Sequence, residues 1–375
     1  MPDAIEAQVA VVGAGPTGAA AAIALRQRGI DDVVLLDSRD FPRDKTCGGG
    51  LSPHAIELLN ELDVWQAIEP IAYPINGVKI VTRRGSEARI SAGNDRAAAI
   101  CLRREFDHVL QQSAVHSGAH FVPFFNAKRG IVEENRGNGR WIGVRAADGR
   151  EVRARYTVIA TGAHAKLTSN PTRRRAIHTI MGWWEGVEFT PHHVEMIWDD
   201  LVLPCYGWLF PETPTRVNIG ITYDDDDKSK NARELFQRFL DKHYRDRIAR
   251  GKQIWDLRGF PIVYTYRSGH LSGPGHLIAG EAGRLTHPAT GEGISQGLKS
   301  ALFAADAIAD IVEGRCGERE ALRRYDRSCA RTFIPSFWLG RAFRAALHTP
   351  LLDWIVRAGS APSVQRATAR LLTHF

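Results

Sequence analysis

The chain has 375 residues, of which 44% are hydrophobic and 24% are charged, an ordinary composition for a globular protein. This length predicts two domains, or one large domain with an insertion. The apolar stretches are too short, or too interrupted by glycine, for a membrane span or a signal peptide. The net charge of +7 comes without a nucleic-acid recognition motif. We therefore predict an anionic substrate or a membrane surface, and no nucleic acid, as the partner of this charge.

The cysteines are scattered, their number is odd, and no two of them form a Cys-x-x-Cys pair: Cys47, Cys101, Cys205, Cys316 and Cys329. This arrangement predicts reduced thiols in a cytoplasmic protein rather than a disulfide framework or a zinc site. The acidic run Asp224–Asp227 lacks the ligand spacing and the glycine of a calcium loop. Both this run and Arg173–Arg175 are predicted to be solvated, so we expect no metal site.

The first elements in chain order form a strand–turn–helix unit. Residues 8–12 are an apolar run, the turn G-x-G-x-x-G occupies residues 13–18, and an alanine-rich helix is predicted from there to about Arg28. A second apolar run, residues 33–36, ends in Asp37. The glycines allow a tight turn and let a pyrophosphate approach the backbone at the helix N-terminus, while Asp37 can bind ribose hydroxyls. The unit predicts dinucleotide binding.

Two later segments indicate which dinucleotide is bound. Residues 100–107 lead into a helical pattern, and residues 276–294 read as a strand, an acidic turn, a glycine-rich loop and the start of a helix over 294–312. An acid at the end of the strand can bind a ribityl chain. The helix N-terminus can face the pyrimidine end of an isoalloxazine ring. Because a nicotinamide dehydrogenase needs no such second contact, we predict FAD.

Three further motifs carry a family resemblance: FPRDKTCGGGLS at 41–52, YGWLFP at 206–211 and VNIG at 217–220. Together with the glycine fingerprint, they resemble the geranylgeranyl reductases. These enzymes belong to the FAD-dependent superfamily with the p-hydroxybenzoate hydroxylase fold, which also contains the group A flavoprotein monooxygenases and the halogenases.

The resemblance implies which residues hold the cofactor. In this family the residues that match Gly13, Gly15, Gly18, Asp37 and Arg103 contact FAD. The superfamily usually has aspartate where this chain has a threonine (161) and a glutamate (281), and we expect FAD binding to survive both changes. The full set of candidate FAD-binding residues is Gly13, Ala14, Gly15, Pro16, Thr17, Gly18, Asp37, Ser38, Arg39, Lys45, Gly48, Gly49, Arg103, Ala127, Thr161, Gly162, Gly280, Glu281, Pro288, Gly291, Glu292, Gly293 and Ile294.

The predicted fold class is α/β: a Rossmann-type FAD-binding domain with an inserted, mostly antiparallel β-sheet substrate domain and a C-terminal helical tail. The FAD-binding domain is expected to be discontinuous, over 1–70, 96–178 and 268–330. The substrate (cap) domain would comprise 71–95 and 179–267, including a helix over about 229–249, and the helical region 331–375. Helix breaks are predicted near Pro335, Pro350 and Pro362.

Three residues are candidates for chemistry. The resemblance implies that Cys47 faces the reacting end of the flavin, either as a proton donor or substrate-orienting thiol, or simply as a small residue that fits. Tyr206 and Trp208 alternate on a predicted strand and so share one face, where they would either wall a substrate cavity or pack within the sheet. The abundance of tryptophan in the cap favours a large apolar cavity.

The C-terminal region, residues 331–375, has six arginines and a single acid, Asp353. Phenylalanine, tryptophan and leucine supply apolar bulk between the arginines. A basic amphipathic helix of this kind can make peripheral contact with an anionic membrane, or it can pack its apolar face on the FAD-binding domain. Both alternatives stay open at this point.

The leading functional expectation follows from the resemblance: a reductase in which reduced FAD delivers hydride to a carbon–carbon double bond of a prenyl or similar apolar substrate. The same fold supports a monooxygenase acting on an aromatic or other electron-rich substrate, protein-borne substrates included, with halogenation as a variant. A flavin-binding sensor without turnover is the third alternative. Because the chain has one dinucleotide fingerprint, NAD(P)H would bind transiently as reductant or be replaced by a protein electron donor. The oligomeric state is left open.

Overall fold

A computed structural model describes residues 4–91, 98–135, 138–163, 167, 176–225, 229–266 and 269–358. Three sequence predictions fall wholly or partly outside these residues. They are the solvated loop Arg173–Arg175, the end of the acidic run Asp224–Asp227, and the part of the C-terminal helical region after residue 358, including the break near Pro362.

The strands are β1 (Ile5–Val12), β2 (Val33–Leu36), β3 (Gly50–Leu51), β4 (Tyr73–Ile75), β5 (Gly77–Val81), β6 (Glu87–Ser91), β7 (Ala98–Ile100), β8 (His120–Val122), β9 (Ala127–Asn135), β10 (Asn138–Ala146), β11 (Glu151–Ile159), β12 (Ala176–Glu185), β13 (His193–Ile197), β14 (Gly207–Pro211), β15 (Arg216–Asp224), β16 (Lys252–Val263), β17 (Ser272–Gly273) and β18 (His276–Ile278). The helices are α1 (Pro16–Gln27), α2 (Pro53–Glu61), α3 (Trp65–Ile68), α4 (Arg103–His116), α5 (Ala232–His243), α6 (Arg245–Ile248), α7 (Ile294–Val312), α8 (Glu318–Ala346) and α9 (Leu351–Ala358). Two short 3₁₀ helices cover Glu69–Ile71 and Gly280–Gly283.

The first sheet has eight strands and is parallel at its centre. Strands β18, β11, β1, β2 and β8 lie side by side in this order and run in the same direction, while β17, β10 and β9 add antiparallel pairs. In register, Val12 at the end of β1 lies between Leu36 of β2 and Ile159 of β11. The turns that follow these strands therefore meet at one edge of the sheet, the usual place for a ligand in such sheets.

Two helices pack together against this sheet. The alanine-rich face of α1 is fully buried, and α7 packs on α1. Small residues allow this contact: a side chain at Gly297 of α7 would overlap the hydroxyl of Thr17. The apolar side chains of both helices belong to one core cluster that also takes in Phe333 and Phe337 of α8.

The second sheet has seven strands in the order β16-β12-β15-β14-β13-β5-β6. All neighbouring pairs are antiparallel except β13 with β5. One face of the sheet packs on α5 through a core that includes Trp184, Phe236 and Phe239. A small antiparallel sheet in the order β3-β7-β4 is formed by segments that lie between β2 and β8 in the chain. The chain is thus a mixed α/β protein, as predicted.

Two predicted details differ in the structure. Helix α8 continues through Pro335, where a break was predicted, because Phe333 and Phe337 on either side are buried against the core. This packing outweighs the cost of about 3 kcal/mol for an interior proline. The single helix predicted over 229–249 is two helices, α5 and α6, which meet at Tyr244. The break near Pro350 is confirmed, since it separates α8 from α9.

Among the described residues, no helix has the length and apolar content needed to cross a bilayer.

Candidate active site

A cavity of about 1110 Å³ is lined by the carboxyl edge of the parallel sheet and by residues of the seven-stranded sheet. Its volume is at or above the upper end of the range of about 300–1,000 Å³ that is usual for ligand pockets. There is room for a dinucleotide together with a second molecule.

The structure brings most of the predicted site residues onto the wall of this cavity: Gly13, Gly15, Pro16, Thr17, Asp37, Ser38, Arg39, Lys45, Cys47, Gly48, Gly49, Arg103, Ala127, Thr161, Gly162, Tyr206, Trp208, Glu281, Gly291, Glu292, Gly293 and Ile294. Four others are not part of its lining: Ala14, Gly18, Gly280 and Pro288. Gly18 packs against the backbone of Gly13, and Gly280 packs against Thr17.

The turn after β1 forms a cradle that only glycine permits. Gly13 has a φ of +101°, and a side chain there would overlap the carbonyl oxygen of Ala160. Gly15 is different, because a Cβ built on it meets only a nitrogen of Arg43, at 3.4 Å. The space above Gly15 is therefore open at the N-terminus of α1, where backbone N–H groups and the helix dipole favour a phosphate.

Asp37 accepts hydrogen bonds that hold this turn and lies next to the guanidinium of Arg43. One carboxylate oxygen accepts a hydrogen bond from the backbone N–H of Ala14 at 2.9 Å, and the other accepts from the N–H of Arg39 at 3.0 Å. The guanidinium of Arg43 lies between Asp37, at 3.4 Å, and Asp107, at 3.5 Å. Arg43 belongs to the family motif, but sequence reasoning did not select it as a site residue. The spacing alone does not show that it returns to Asp37.

The cavity presents buried polar groups that have no partner among the described residues. The hydroxyls of Thr161 and Thr286 and the Nε of Arg43 are buried, line this cavity and make no hydrogen bond to another described residue. Such groups are costly to leave unpaired, so they indicate a polar ligand. With the open space above Gly15, they make the residues present a good fit to FAD. Thr161 would offer the cofactor a hydroxyl where the superfamily usually has a carboxylate.

Lys45 and Glu281 bring opposite charges into the cavity. One oxygen of Glu281 accepts a hydrogen bond from the backbone N–H of Val263 at 3.1 Å. The ammonium of Lys45 lies over the ring of Phe260, 3.3 Å from its centroid. Burial lowers the pKa of Lys45 to about 8, and the attraction of Glu281 only partly opposes this. Lys45 therefore titrates near neutral pH.

Cys47 lies next to a buried ion pair. Arg103 donates to both carboxylate oxygens of Asp107, at 2.6 and 2.9 Å, and Asp107 is fully buried. Burial acts to lower the pKa of Arg103, but Asp107 and Cys47 outweigh it, and the guanidinium stays charged. The thiol of Cys47 accepts a weak hydrogen bond from the N–H of Gly49 at 3.5 Å. The guanidinium of Arg103, held by Asp107, thus lies beside the thiol.

The loop before α7 supplies a partly buried acid, Glu292. Glu292 accepts hydrogen bonds from the hydroxyls of Ser52, at 2.5 Å, and Ser295, at 2.7 Å. Burial raises the pKa of this carboxyl against the effect of these two bonds. Because Ser52 follows the Cys-Gly-Gly motif, the contact joins that motif to the loop at the N-terminus of α7.

A row of aromatic rings forms the wall of the cavity on the side of the seven-stranded sheet. Phe210, Trp208, Tyr206 and Trp198 follow one another with ring centroids 5.9, 6.1 and 5.9 Å apart. Phe343 of α8 packs on Trp198 at 6.2 Å in an edge-to-face arrangement. We call these five residues the aromatic row. At one end of the row, Phe210 contacts the loop that carries Cys47, since a Cβ on Gly48 would lie 2.9 Å from Phe210.

Most cavity residues that sequence reasoning missed come from strands and helices distant in the chain. Met181, Met196 and Phe343 line the apolar part, and Thr286 lines the polar part. The alternation of apolar residues on β13 was the one available signal for Met196, but nothing local marked which face would meet a ligand.

Comparison with known proteins gives the family. Residues 6–333 match the FAD binding domain family. The menaquinone reductase of Mycobacterium tuberculosis (strain H37Rv) is 30% identical over 325 residues, which cover 80% of this chain and 76% of that protein. Digeranylgeranylglycerophospholipid reductase 2 of Methanopyrus kandleri is 27% identical over 359 residues, covering 92% of this chain and 85% of that protein.

A solved structure agrees with this assignment at the level of the fold. A geranylgeranyl bacteriochlorophyll reductase-like protein from Thermoplasma acidophilum has a TM-score of 0.85 at 20% identity, covering 98% of this chain and 96% of that one. The resemblance to geranylgeranyl reductases in the sequence motifs is thereby confirmed. The chain belongs to the FAD binding domain family and is an FAD-dependent oxidoreductase.

Proposed function

We propose that this chain is a reductase that saturates carbon–carbon double bonds in the prenyl chain of an apolar substrate. The observation that carries the proposal is that one cavity holds both the cradle at Gly13 and Gly15 and the aromatic row. Two relatives named as reductases of menaquinone and of digeranylgeranylglycerophospholipids support it.

The ranges predicted from sequence divide the work in this proposal. Residues 1–70, 96–178 and 268–330 would form the FAD-binding domain, 71–95 and 179–267 the substrate domain, and 331–375 the C-terminal helical region. When bound, FAD would supply the hydride. It would be held by the cradle, by the unpaired hydroxyl of Thr161, and by Asp37, Lys45 and Glu281.

The chain's own contribution would be to orient the substrate and to exclude water. Cys47 stands where the cradle and the aromatic row meet, since its neighbour Gly48 packs against Phe210 and the indole of Trp208. We propose that its thiol, beside the charged Arg103, positions the double bond and holds the proton for the neighbouring carbon. Tyr206 and Trp208 would pack against the prenyl chain of the substrate and hold it next to the cofactor.

The electron donor and the cellular location of the protein are further parts of the proposal. NAD(P)H binding transiently, or a protein donor, would reduce the enzyme. We propose peripheral contact with a membrane from the cytoplasmic side, because a prenyl lipid resides there. Trp354 of α9 is 67% exposed, and tryptophan is favoured at membrane interfaces.

The test uses the full chain loaded with FAD, reduced chemically without oxygen, and mixed anaerobically with a prenyl lipid. We expect the absorbance of oxidised flavin to return. Cys47→Ala should slow this return by about 10²-fold, the usual size of a general acid's contribution. Cys316→Ser is the matched control, since Cys316 does not line the cavity, and should leave the rate unchanged.

If no prenyl lipid reoxidises the flavin but air does so and yields an oxygenated product, the protein is a monooxygenase. If no donor reduces the bound flavin at all, it is a sensor. Either result contradicts the reductase.

A further inference from the structure

The aromatic row ends at the C-terminal helices, and this end is built differently from the rest of the cavity. Phe343 of α8 lines the cavity and packs edge-to-face on Trp198. Behind it, Leu347, just after α8, and Val356 of α9 belong to the same apolar cluster as Trp198, Tyr206 and Trp208. The C-terminal helices therefore back the far end of the row.

The backing helices are tied to the seven-stranded sheet by buried polar contacts. The hydroxyl of Thr82, just after β5, donates to the carboxylate of Asp353 on α9 at 2.5 Å, and both residues are buried. Arg344, next to Phe343, donates to Asp224 at the end of β15, at 2.5 Å, and to the carbonyl of Pro288 at 3.0 Å. The segment that follows Phe343 is thus anchored at Arg344 and at Asp353.

Tyr206 and Trp208 present apolar surface to a ligand, because the polar atom of each side chain is already paired within the protein. The indole N–H of Trp208 donates to Asn218 at 2.7 Å, and the hydroxyl of Tyr206 donates to the carbonyl of Thr290. Aliphatic Val78, Ile80 and Ile90 complete the lining near these rings. This part of the cavity suits an extended hydrocarbon chain.

We propose that Phe343 is a specificity-determining residue: it is the stop against which the distal end of the substrate's hydrocarbon chain packs, and it sets the longest chain that fits. The inference rests on the proposed function for the nature of the substrate. Each added methylene that fits along the row raises affinity about four-fold. A unit that reaches Phe343 gains nothing further.

The test measures binding and not turnover. Dissociation constants of geraniol, farnesol and geranylgeraniol, which differ by one isoprene unit each, are measured by calorimetry on the FAD-loaded full chain. Phe343→Ala should improve the affinity for the first alcohol that exceeds the stop on the order of ten-fold relative to the shorter ones. Phe343→Leu should shift the preference less in the same direction, and Phe343→Trp should shift it towards shorter chains.

Trp338→Ala is the matched control, because it removes an exposed aromatic side chain from the same helix outside the cavity. It should reproduce the wild-type length preference. If Phe343→Ala does not fold, the leucine and tryptophan variants carry the same test.

The proposal is overturned if the Phe343 substitutions change the affinity for all three alcohols by the same factor, as expected for a residue at the entrance of the cavity. It is also overturned if the Phe343 variants have the same length preference as Trp338→Ala. Reduction of prenyl lipids is measured separately. If the Phe343 variants shift the preferred chain length but no prenyl lipid is reduced, the proposed reductase activity is refuted and the role of Phe343 is retained. If prenyl lipids are reduced but the preferred chain length does not shift, the role of Phe343 is refuted and the reductase activity is retained.

Discussion

The cradle at the start of the chain and the aromatic row are two walls of one cavity, but they are built in opposite ways. The cradle uses backbone: Gly13 packs against Ala160, just after β11, and the space above Gly15 is open. The aromatic row uses large side chains from β14 and the residues next to it, with Phe343 of α8 added from a distant part of the sequence. A wall made of backbone has a shape that single substitutions cannot easily change, which suits a cofactor that is always the same. A wall made of side chains can be resized by single substitutions, which suits a substrate whose chain length varies.

Gly13→Ala tests the cradle at its least tolerant point and should have the largest effect. The new side chain would overlap the carbonyl of Ala160, and the residue would have to keep a φ of +101°. We expect the free energy of unfolding of the apoprotein to fall by about 4 kcal/mol or more, because rigid backbone leaves no room to adjust. Urea denaturation measures this. A loss below about 1 kcal/mol would show that the turn adapts.

Gly15→Ala separates binding from folding in the same turn. Its Cβ meets only a flexible side chain, that of Arg43, so the apoprotein should lose less than about 1 kcal/mol of stability. The methyl group would occupy the space of the pyrophosphate, and we expect FAD affinity to fall about 100-fold, or about 2.7 kcal/mol. Fluorescence titration with FAD measures it. Unchanged affinity would place the pyrophosphate elsewhere.

Lys45 adds a charge to the cradle that depends on pH. Its pKa is lowered to about 8 by burial, so in the free protein it becomes neutral as the pH rises through 8. FAD is anionic and favours the charged lysine, so its binding above this pH requires uptake of a proton. Between pH 7 and pH 9 the dissociation constant of FAD should rise about ten-fold.

Lys45→Met should weaken FAD binding at pH 7 and abolish this pH dependence. Lys252→Met, on an exposed position of β16, is the control and should keep it. The same slope in Lys45→Met as in the wild type would assign the titration to another group.

Tyr206→Phe tests a hydrogen bond that joins the aromatic row to the loop before α7. It removes the hydroxyl that donates to the carbonyl of Thr290 and keeps the ring. We expect a loss of about 1 kcal/mol in unfolding free energy and little change in affinity for prenyl alcohols, because only the ring faces them. A large loss of alcohol affinity would mean that the hydroxyl itself binds the substrate.

The sequence is informative where a local motif determines the structure. The turn at 13–18 and the helix over 294–312 were predicted to within a residue or two, because glycine spacing, apolar runs and helix signals all lie in one short segment. The sharing of one wall by Tyr206 and Trp208 follows from the two-residue period of a strand.

The rest of the site depends on contacts that no local pattern encodes. Arg43 returns to Asp37 and Asp107 only after a cis-proline turn, and Phe343 reaches Trp198 because α8 continues through Pro335. Propensity alone predicted a break at that proline. Burial of Phe333 and Phe337 decides otherwise, and it is a property of the whole core.

The most direct test of the account is the product of a single anaerobic turnover. The FAD-loaded protein is reduced with one equivalent of a two-electron reductant and then mixed with a prenyl lipid. The lipid is analysed by mass spectrometry. The account predicts a lipid that has gained two hydrogen atoms at one double bond, in an amount equal to the flavin reoxidised. An unchanged lipid beside flavin that stays reduced until air is admitted would contradict it.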